Sequence, residues 1–231
     1  MKIILTCGPS YEPIDGARRM TNMSTGKLGI ALANALTDAG HEVVCLKGEG
    51  ATCHDPLRAA SVRTFTTNEN LAGQLHALSE TFEADAVLHA AALCDFKVAR
   101  VATSDGDVGA SKKISTRAGE VTLVLAPTLK VLPKLRLWFP RAIIVGWKYE
   151  LAGTRDDAFA AAWRQLRECD SDACILNGSA YGEGFAVCEP EQNVRRCPDT
   201  AALTEFFITW LGDKFRACAT VAAEGENTSN A

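Results

Sequence analysis

The 231-residue sequence lacks any run near the roughly 18 consecutive apolar residues of a membrane span, so no transmembrane helix is expected. Its opening, Met1-Lys2-Ile3-Ile4-Leu5, passes directly into a strand-like segment instead of a secretory h-region with a cleavage site. A cytoplasmic protein is the expectation. Nine cysteines occur without one C-x-x-C pair or a Cys/His ligand spacing, which leaves neither a zinc site nor a disulfide framework supported. Those inside apolar runs, such as Cys45 and Cys174, act as small hydrophobes. Charge of one sign is also scarce: the net formal charge is -4, which argues against bulk nucleic-acid binding and its strongly basic face. Low glycine and proline content excludes collagen, and 47% hydrophobic residues exclude wholesale disorder. A chain of this size can bury one sizeable core unaided.

What is present is an alternation of strand-like and helix-like runs. Lys2 to Cys7 reads as a strand ending at Gly8. Leu28, Leu32 and Leu36 then mark a helical face that Ser24 or Thr25 caps and Gly40 stops. His41 to Leu46 and Ser61 to Thr66 read as strands. Asn68 caps a helix bearing Leu71, Leu75 and Leu78, and Ala84 to Leu93 is a strand broken at Asp95. Lys97 to Gly119 has the composition of an exposed flap longer than ordinary connections. Val121 to Leu125 and Ala142 to Gly146 are strands separated by a helix opened by Thr128 despite Pro133. A helix from Thr154 to Cys169, a strand from Ala173 to Leu176, a hairpin from Phe185 to Arg196 and an apolar helix at Leu203 to Leu211 complete the order. The expected fold class is α/β, a Rossmann-like doubly wound and mostly parallel sheet with helices on both faces and a long flap loop. It is read as a single domain over residues 1–221, with 222–231 a polar, disordered C-terminal tail.

In such sheets ligands bind beyond the carboxyl ends of the strands, where strand order reverses. The first strand is not followed by the G-x-G-x-x-G dinucleotide turn, and Gly26-Lys27 continues with Leu28, so the P-loop pattern fails as well. The segment from Asp15 to Lys27 instead carries Arg18, Arg19, Asn22, Ser24, Thr25 and Gly26 ahead of a helix, a composition suited to a phosphate or carboxylate. A polar loop that merely caps the helix fits equally well. Asn22 offers both a donor and an acceptor to an acyl oxygen. Ala91 and Ala92 end a buried strand and admit a ligand to the backbone, and Asp95 suits a ribose hydroxyl or, equally, a turn. His89 reads as a core histidine. Lys112 and Lys113 offer a movable cation on the flap, although most exposed lysines do nothing. Trp147 suits a base-stacking wall or core packing, and Asn177-Gly178 a base edge or a turn.

Taken in order, Arg18-x-x-Thr21-Asn22-x-Ser24-Thr25-Gly26-x-x-Gly29, Ala90-Ala91-Ala92-x-x-Asp95, Lys113-Ile114, Gly146-Trp147-Lys148 and Asn177 resemble the phosphopantothenoylcysteine synthetase (phosphopantothenate cysteine ligase) family of coenzyme A biosynthesis. The likeness spans roughly Ile3 to Phe185 and looks like the stand-alone form, without an upstream flavin-dependent decarboxylase. The resemblance implies a ligase that joins 4'-phosphopantothenate and L-cysteine through an acyl-nucleotidylate. By matching position it implies that Asn22 holds the acyl group, that Lys113 stabilises nucleotidyl transfer, and that Arg18, Ser24, Gly26, Ala91 and Ala92 bind the phosphorylated substrate. It further implies that Gly8, Asp95, Lys113, Trp147, Lys148 and Asn177 line the nucleotide site. Mg²⁺ would accompany the nucleoside triphosphate, with no dedicated metal cage and no flavin. A homodimer is implied, with Arg18 or Arg19 completing a neighbour's phosphate site.

The sequence departs from the family at Trp147, where a phenylalanine is usual, at Gly178, where an aspartate is usual, and in the flap, which lacks a lysine-rich run. The basic residue of the helix before Asn177 falls at Arg164. These departures leave CTP or ATP open, with CTP expected because bacterial members mostly use it. The competing readings are an NAD(P)- or flavin-dependent oxidoreductase on the same scaffold, and a non-catalytic ligand-binding relative.

Overall fold

The structure, a computed structural model, describes residues 1–103, 106–108 and 113–228. In chain order its elements are β1 (Lys2–Cys7), β2 (Tyr11–Pro13), β3 (Arg19–Thr21), α1 (Lys27–Asp38), β4 (Glu42–Gly48), β5 (Ser61–Phe65), α2 (Asn68–Thr81) and β6 (Ala86–His89). There follow β7 (Phe96–Thr103), β8 (Gly106–Val108), β9 (Val121–Pro127), α3 (Leu132–Trp138), β10 (Ile143–Tyr149), α4 (Arg155–Cys169), β11 (Ala173–Gly178), β12 (Gly182–Cys188), β13 (Val194–Cys197) and α5 (Thr200–Thr228).

The main sheet has eight strands in the order β13-β12-β11-β10-β6-β1-β4-β5. Its six strands from β11 to β5 run parallel, while β12 and β13 add an antiparallel edge. Strand order reverses between β1 and β6, so the crevice of the doubly wound fold opens above their carboxyl ends. Alternation along β1 builds a core on each face. Ile3, Leu5 and Cys7 join Leu32 and Leu36 of α1 and Leu203 and Phe207 of α5 on one side. Ile4 joins Leu71 and Leu75 of α2 and Leu135 of α3 on the other. Each wholly buried leucine contributes roughly 1.5–3 kcal/mol relative to an exposed one. A third cluster sets Ala158, Ala162 and Leu166 of α4 against Cys174 and Leu176 of β11.

Several helix boundaries have clear local causes. Gly40, at φ 87°, closes α1 with a paired motif in which its N–H bonds to Thr37 O at 2.9 Å and the His41 N–H to Leu36 O at 3.1 Å. Thr154 and Asp157 form a reciprocal capping box at the start of α4. The expected cap of α1 is corrected in position: the N-cap is Gly26, at φ 79°, while Thr25, one residue before it, accepts the Lys27 N–H on its hydroxyl at 3.3 Å. Thr67, not Asn68, caps α2 by accepting the Asn70 N–H. Pro133 sits in the first turn of α3, which begins at Leu132 and not at Thr128, where a missing N–H costs nothing.

The flap expectation is corrected in part. Much of Lys97 to Gly119 and the strand after it belong to a small antiparallel sheet of order β8-β7-β9, separate from the main sheet, with Phe96 paired to Pro127 and Thr103 to Val121. Helix α5 continues to Thr228, so residues 222–228, expected as a disordered tail, lie in helix; residues 229–231 fall outside the described residues. Among the described residues no helix is long and apolar enough to cross a membrane.

Candidate functional site

Strand β1 does not turn directly into a helix. Gly8, at φ 77°, leads into the β2–β3 hairpin, whose return places residues 22–26 at the mouth of the crevice. The turn at Gly8 is tight: a Cβ there would meet Ala51 Cβ at 2.8 Å, and one at Gly26 would lie 3.1 Å from the same atom and 3.4 Å from Gly8 Cα. Gly29 packs closer still, since a Cβ would stand 2.2 Å from Cys7 Cβ. These glycines seat the start of α1 directly on the end of β1. Thr25 takes up the Lys27 N–H at 3.3 Å, and the N–H groups of the residues that follow, with the positive end of the helix dipole, lie at the mouth, an anion-binding arrangement.

The structure brings Asn22 and Ala92 together. The Asn22 amide donates to Ala92 O at 3.1 Å and Leu93 O at 2.9 Å, while Ala92 N donates to Gly8 O at 3.0 Å and Ser10 N to Ala92 O at 3.2 Å. Ala91 and Ala92 are half-buried at this seam, and Ser24 is half-buried beside it. Beneath the seam lies a polar network that the sequence reading missed. Asn68 donates to Cys94 O at 2.8 Å and to Leu129 O at 3.0 Å, and it accepts from the Ser10 hydroxyl at 2.7 Å. A residue read as a helix cap is thus a buried brace between three segments. The only available signal was an Asn following a Thr that caps equally well.

Arg18 and Arg19 are engaged rather than free. Arg19 pairs with Glu49 at 3.2 Å and lies over the Tyr11 ring at 4.6 Å. Arg18 pairs with the buried Asp15 and donates to Ile114 O at 3.3 Å. The Asp15 carboxyl is held down to about 2 by the N–H groups of Ile114, Ala17 and Arg18 and by the Arg18 guanidinium. Ile114 brings the flap to the hairpin, and the exposed Lys113 is its chain neighbour; Lys112 lies outside the described residues. Ile14, Arg18, Ile114, Ser115 and Thr116 line a cavity of about 370 Å³ between hairpin and flap. A larger one, about 640 Å³, lies at the opposite end of the sheet against Lys2, Glu42 and Asp85. The carboxyl-end crevice remains the better candidate, because that is where strand order reverses and the open helix terminus points.

Asp95 is exposed at the crevice and ion-paired with Lys130, a cation that the sequence reading did not single out. Lys148 pairs with Glu150 at 3.2 Å. Asn177 is the penultimate residue of β11, its carbonyl accepting the Glu150 N–H at 2.9 Å. Gly178, at φ 111°, lies where a Cβ would stand 2.2 Å from Glu150 O, which explains a glycine at that departure from the family pattern. Trp147 requires a correction. Its indole packs into the α1–α5 core layer and stacks on Phe207 at 6.0 Å, so that face is unavailable to a base. Arg164 is exposed on α4, and it is Gln165 that reaches β10, donating to Trp147 O at 3.2 Å.

His89 is buried and bonded to the Thr6 hydroxyl at 2.8 Å; burial lowers its pKa to about 4, which keeps it neutral and structural. The eight cysteines whose side chains are described are free, and burial pushes the Cys188 thiol up to about 12.

A parallel sheet whose strand order reverses at a hairpin-bearing crevice defines a doubly wound, Rossmann-like α/β protein. The chain belongs to the family of the DNA/pantothenate metabolism flavoprotein C-terminal domain, which matches residues 1–199. It is 27% identical over 184 residues to the coenzyme A biosynthesis bifunctional protein CoaBC of Thermococcus kodakarensis, covering 76% of this chain and 41% of the relative. It is 31% identical over 188 residues to a cysteine/cysteine sulfinic acid decarboxylase of an unknown prokaryotic organism, covering 80% and 48%. The chain therefore spans less than half the length of these relatives. The DNA/pantothenate metabolism flavoprotein of Streptococcus pneumoniae has the same fold, with a TM-score of 0.78, 23% identity, and coverage of 94% of this chain and 99% of that one.

Proposed function

We propose that the chain is a ligase of coenzyme A biosynthesis that joins 4'-phosphopantothenate to L-cysteine at the expense of a nucleoside triphosphate. The observation that carries this reading is the bond from the Asn22 amide to the Ala92 and Leu93 carbonyls, which sets a carboxamide at the junction of the open α1 terminus and the strand-reversal crevice. Membership of a family that includes the CoaBC protein supports it.

In the first step a carboxylate oxygen of phosphopantothenate attacks the α-phosphorus. The bond to the bridging oxygen breaks and pyrophosphate leaves. Lys113 offsets the charge developing there. In the second step the cysteine amine attacks the acyl carbon, an amide bond forms, nucleoside monophosphate departs, and the ammonium loses its proton. Asn22, whose amide hydrogens are spent on Ala92 O and Leu93 O, turns its Oδ1 to the acyl intermediate, where it accepts from the incoming cysteine amine. Ser24, Gly26, Ala91 and Ala92 seat the phosphorylated acid, with the Arg18 guanidinium at their edge, held by Asp15 and Ile114 and offering the substrate its exposed side, and Gly8, Asp95, Lys148 and Asn177 border the nucleotide. Mg²⁺ enters on the triphosphate as part of that substrate. CTP is the favoured nucleotide over ATP.

A homodimer completes the reading. Val121, Leu123 and Leu125, which share one face of β9, are each 37–42% exposed, with Phe96 of the paired β7 at 48%, an apolar strip that a second copy covers. Free thiols throughout the described residues suit the reducing cytoplasm.

The test is incubation of purified protein with phosphopantothenate, cysteine, Mg²⁺ and each of four triphosphates in turn. Pyrophosphate release that requires phosphopantothenate is expected. Silence with all four nucleotides, or release independent of the acid, removes the proposal.

A further inference from the structure

Asp15 sits in an exposed hairpin turn, yet its side chain is only 1% exposed. Four donors converge on it. Oδ1 accepts the N–H of Ala17 at 2.7 Å and of Arg18 at 2.8 Å; Oδ2 accepts the Arg18 guanidinium and, 99 residues along the chain, the N–H of Ile114 at 3.0 Å. The same guanidinium donates to Ile114 O at 3.3 Å, so one residue of the flap is held at both its N–H and its carbonyl. Ile114 is also buried, whereas Lys113, Ser115 and Thr116 around it are exposed. Consecutive Cα atoms lie about 3.8 Å apart, so fixing Ile114 confines the sphere that the Lys113 ammonium can sweep.

We propose that the Asp15 carboxylate is a positioning residue for nucleotidyl transfer: with Arg18 it latches the flap at Ile114 and thereby sets Lys113 over the cradle, without itself touching substrate. This rests on the ligase reading above. The bonds within the turn order Ala17 and Arg18, and the bond to Ile114 transmits that order to the flap. All of these bonds end on a carboxylate, which strengthens each relative to a neutral pair.

The experiment uses the full chain. Asp15→Asn retains shape and removes the charge, and should lower kcat for phosphopantothenate-dependent pyrophosphate release by about 10- to 100-fold while leaving the KM for phosphopantothenate within about threefold. In the Lys113→Ala background the same substitution should cost less than about threefold, because the residue it positions is gone. Losses that multiply in the double variant overturn the proposal. Hydrogen exchange supplies a readout that does not need activity: the Ile114 amide should lose protection in Asp15→Asn while α1 and β1 keep theirs. An unchanged Ile114, or a general loss of protection, also overturns it. If the unsubstituted protein releases no pyrophosphate, the ligase reading fails, and exchange at Ile114 still decides whether the latch exists.

Discussion

Replacing Asn22 by alanine separates binding geometry from stability with unusual clarity. The amide makes two hydrogen bonds, to Ala92 O and Leu93 O, and both lie at an exposed edge. Water can replace the lost donor at either carbonyl. At a net value of roughly 0.5–1.5 kcal/mol for an ordinary hydrogen bond, and with solvent compensating, the fold should lose about 1 kcal/mol in all. For a chain of this size that corresponds to a fall in Tm of about 2–4 °C. The catalytic loss should be far larger. A fixed Oδ1 that orients the attacking cysteine amine beside the acyl carbon is worth about 10²–10³ in rate, and the second half-reaction should bear most of that loss. Single-turnover quenching with labelled phosphopantothenate measures both steps: acyl-nucleotidylate should accumulate and be captured slowly by cysteine. Differential scanning calorimetry gives the stability term. Product formation within tenfold of the parent would refute the assignment of Asn22. A fall in Tm beyond about 10 °C would show that the seam is structural and that the estimate of water compensation is wrong.

Three further outcomes follow from the geometry. Lys113→Ala should cut kcat for pyrophosphate release by about 10²–10³ with nucleotide KM within about threefold, because the cation acts on developing charge; a loss confined to KM would contradict this. Gly29→Ala should cost about 1–3 kcal/mol by driving a Cβ into Cys7 Cβ, and Cys7→Gly but not Cys7→Ala should relieve it, as read by urea melts; rescue by both would place the clash elsewhere. Folding lowers the His89 pKa from 6.5 to about 4, so the folded state resists a proton that the unfolded chain accepts. This contribution, about 3 kcal/mol, is present above pH 6.5 and is lost as pH falls from there to about 4. His89→Gln should flatten the pH dependence of stability across that window, and an unchanged slope would remove the claim.

The elements legible in the sequence were those whose local pattern and tertiary role agree. Strand β1 was bounded from its apolar run alone, and α4 from Thr154 and its helical period, because burial of a continuous strand and of one helix face leaves a direct imprint on residue order. The β7–β9 sheet was not legible as such. Its strands are largely exposed, so they carry little hydrophobic period, and their pairing joins residues that are distant in sequence. The candidate cradle was visible as a composition, with Arg18, Asn22, Ser24 and Gly26 gathered before one helix. Which of these side chains are free was not visible.

From residue order alone came the doubly wound rhythm and the strand ends at which the candidate residues stand, because hydrophobic period and turn chemistry act within short stretches of chain. Only the tertiary structure decided that Trp147 belongs to the core against Phe207, that Asn68 braces three segments, and that Asp15 reaches across the chain to Ile114. Those outcomes depend on which distant groups arrive beside a given side chain, and a hydrogen bond or ring stack between remote residues leaves no periodic trace in either one.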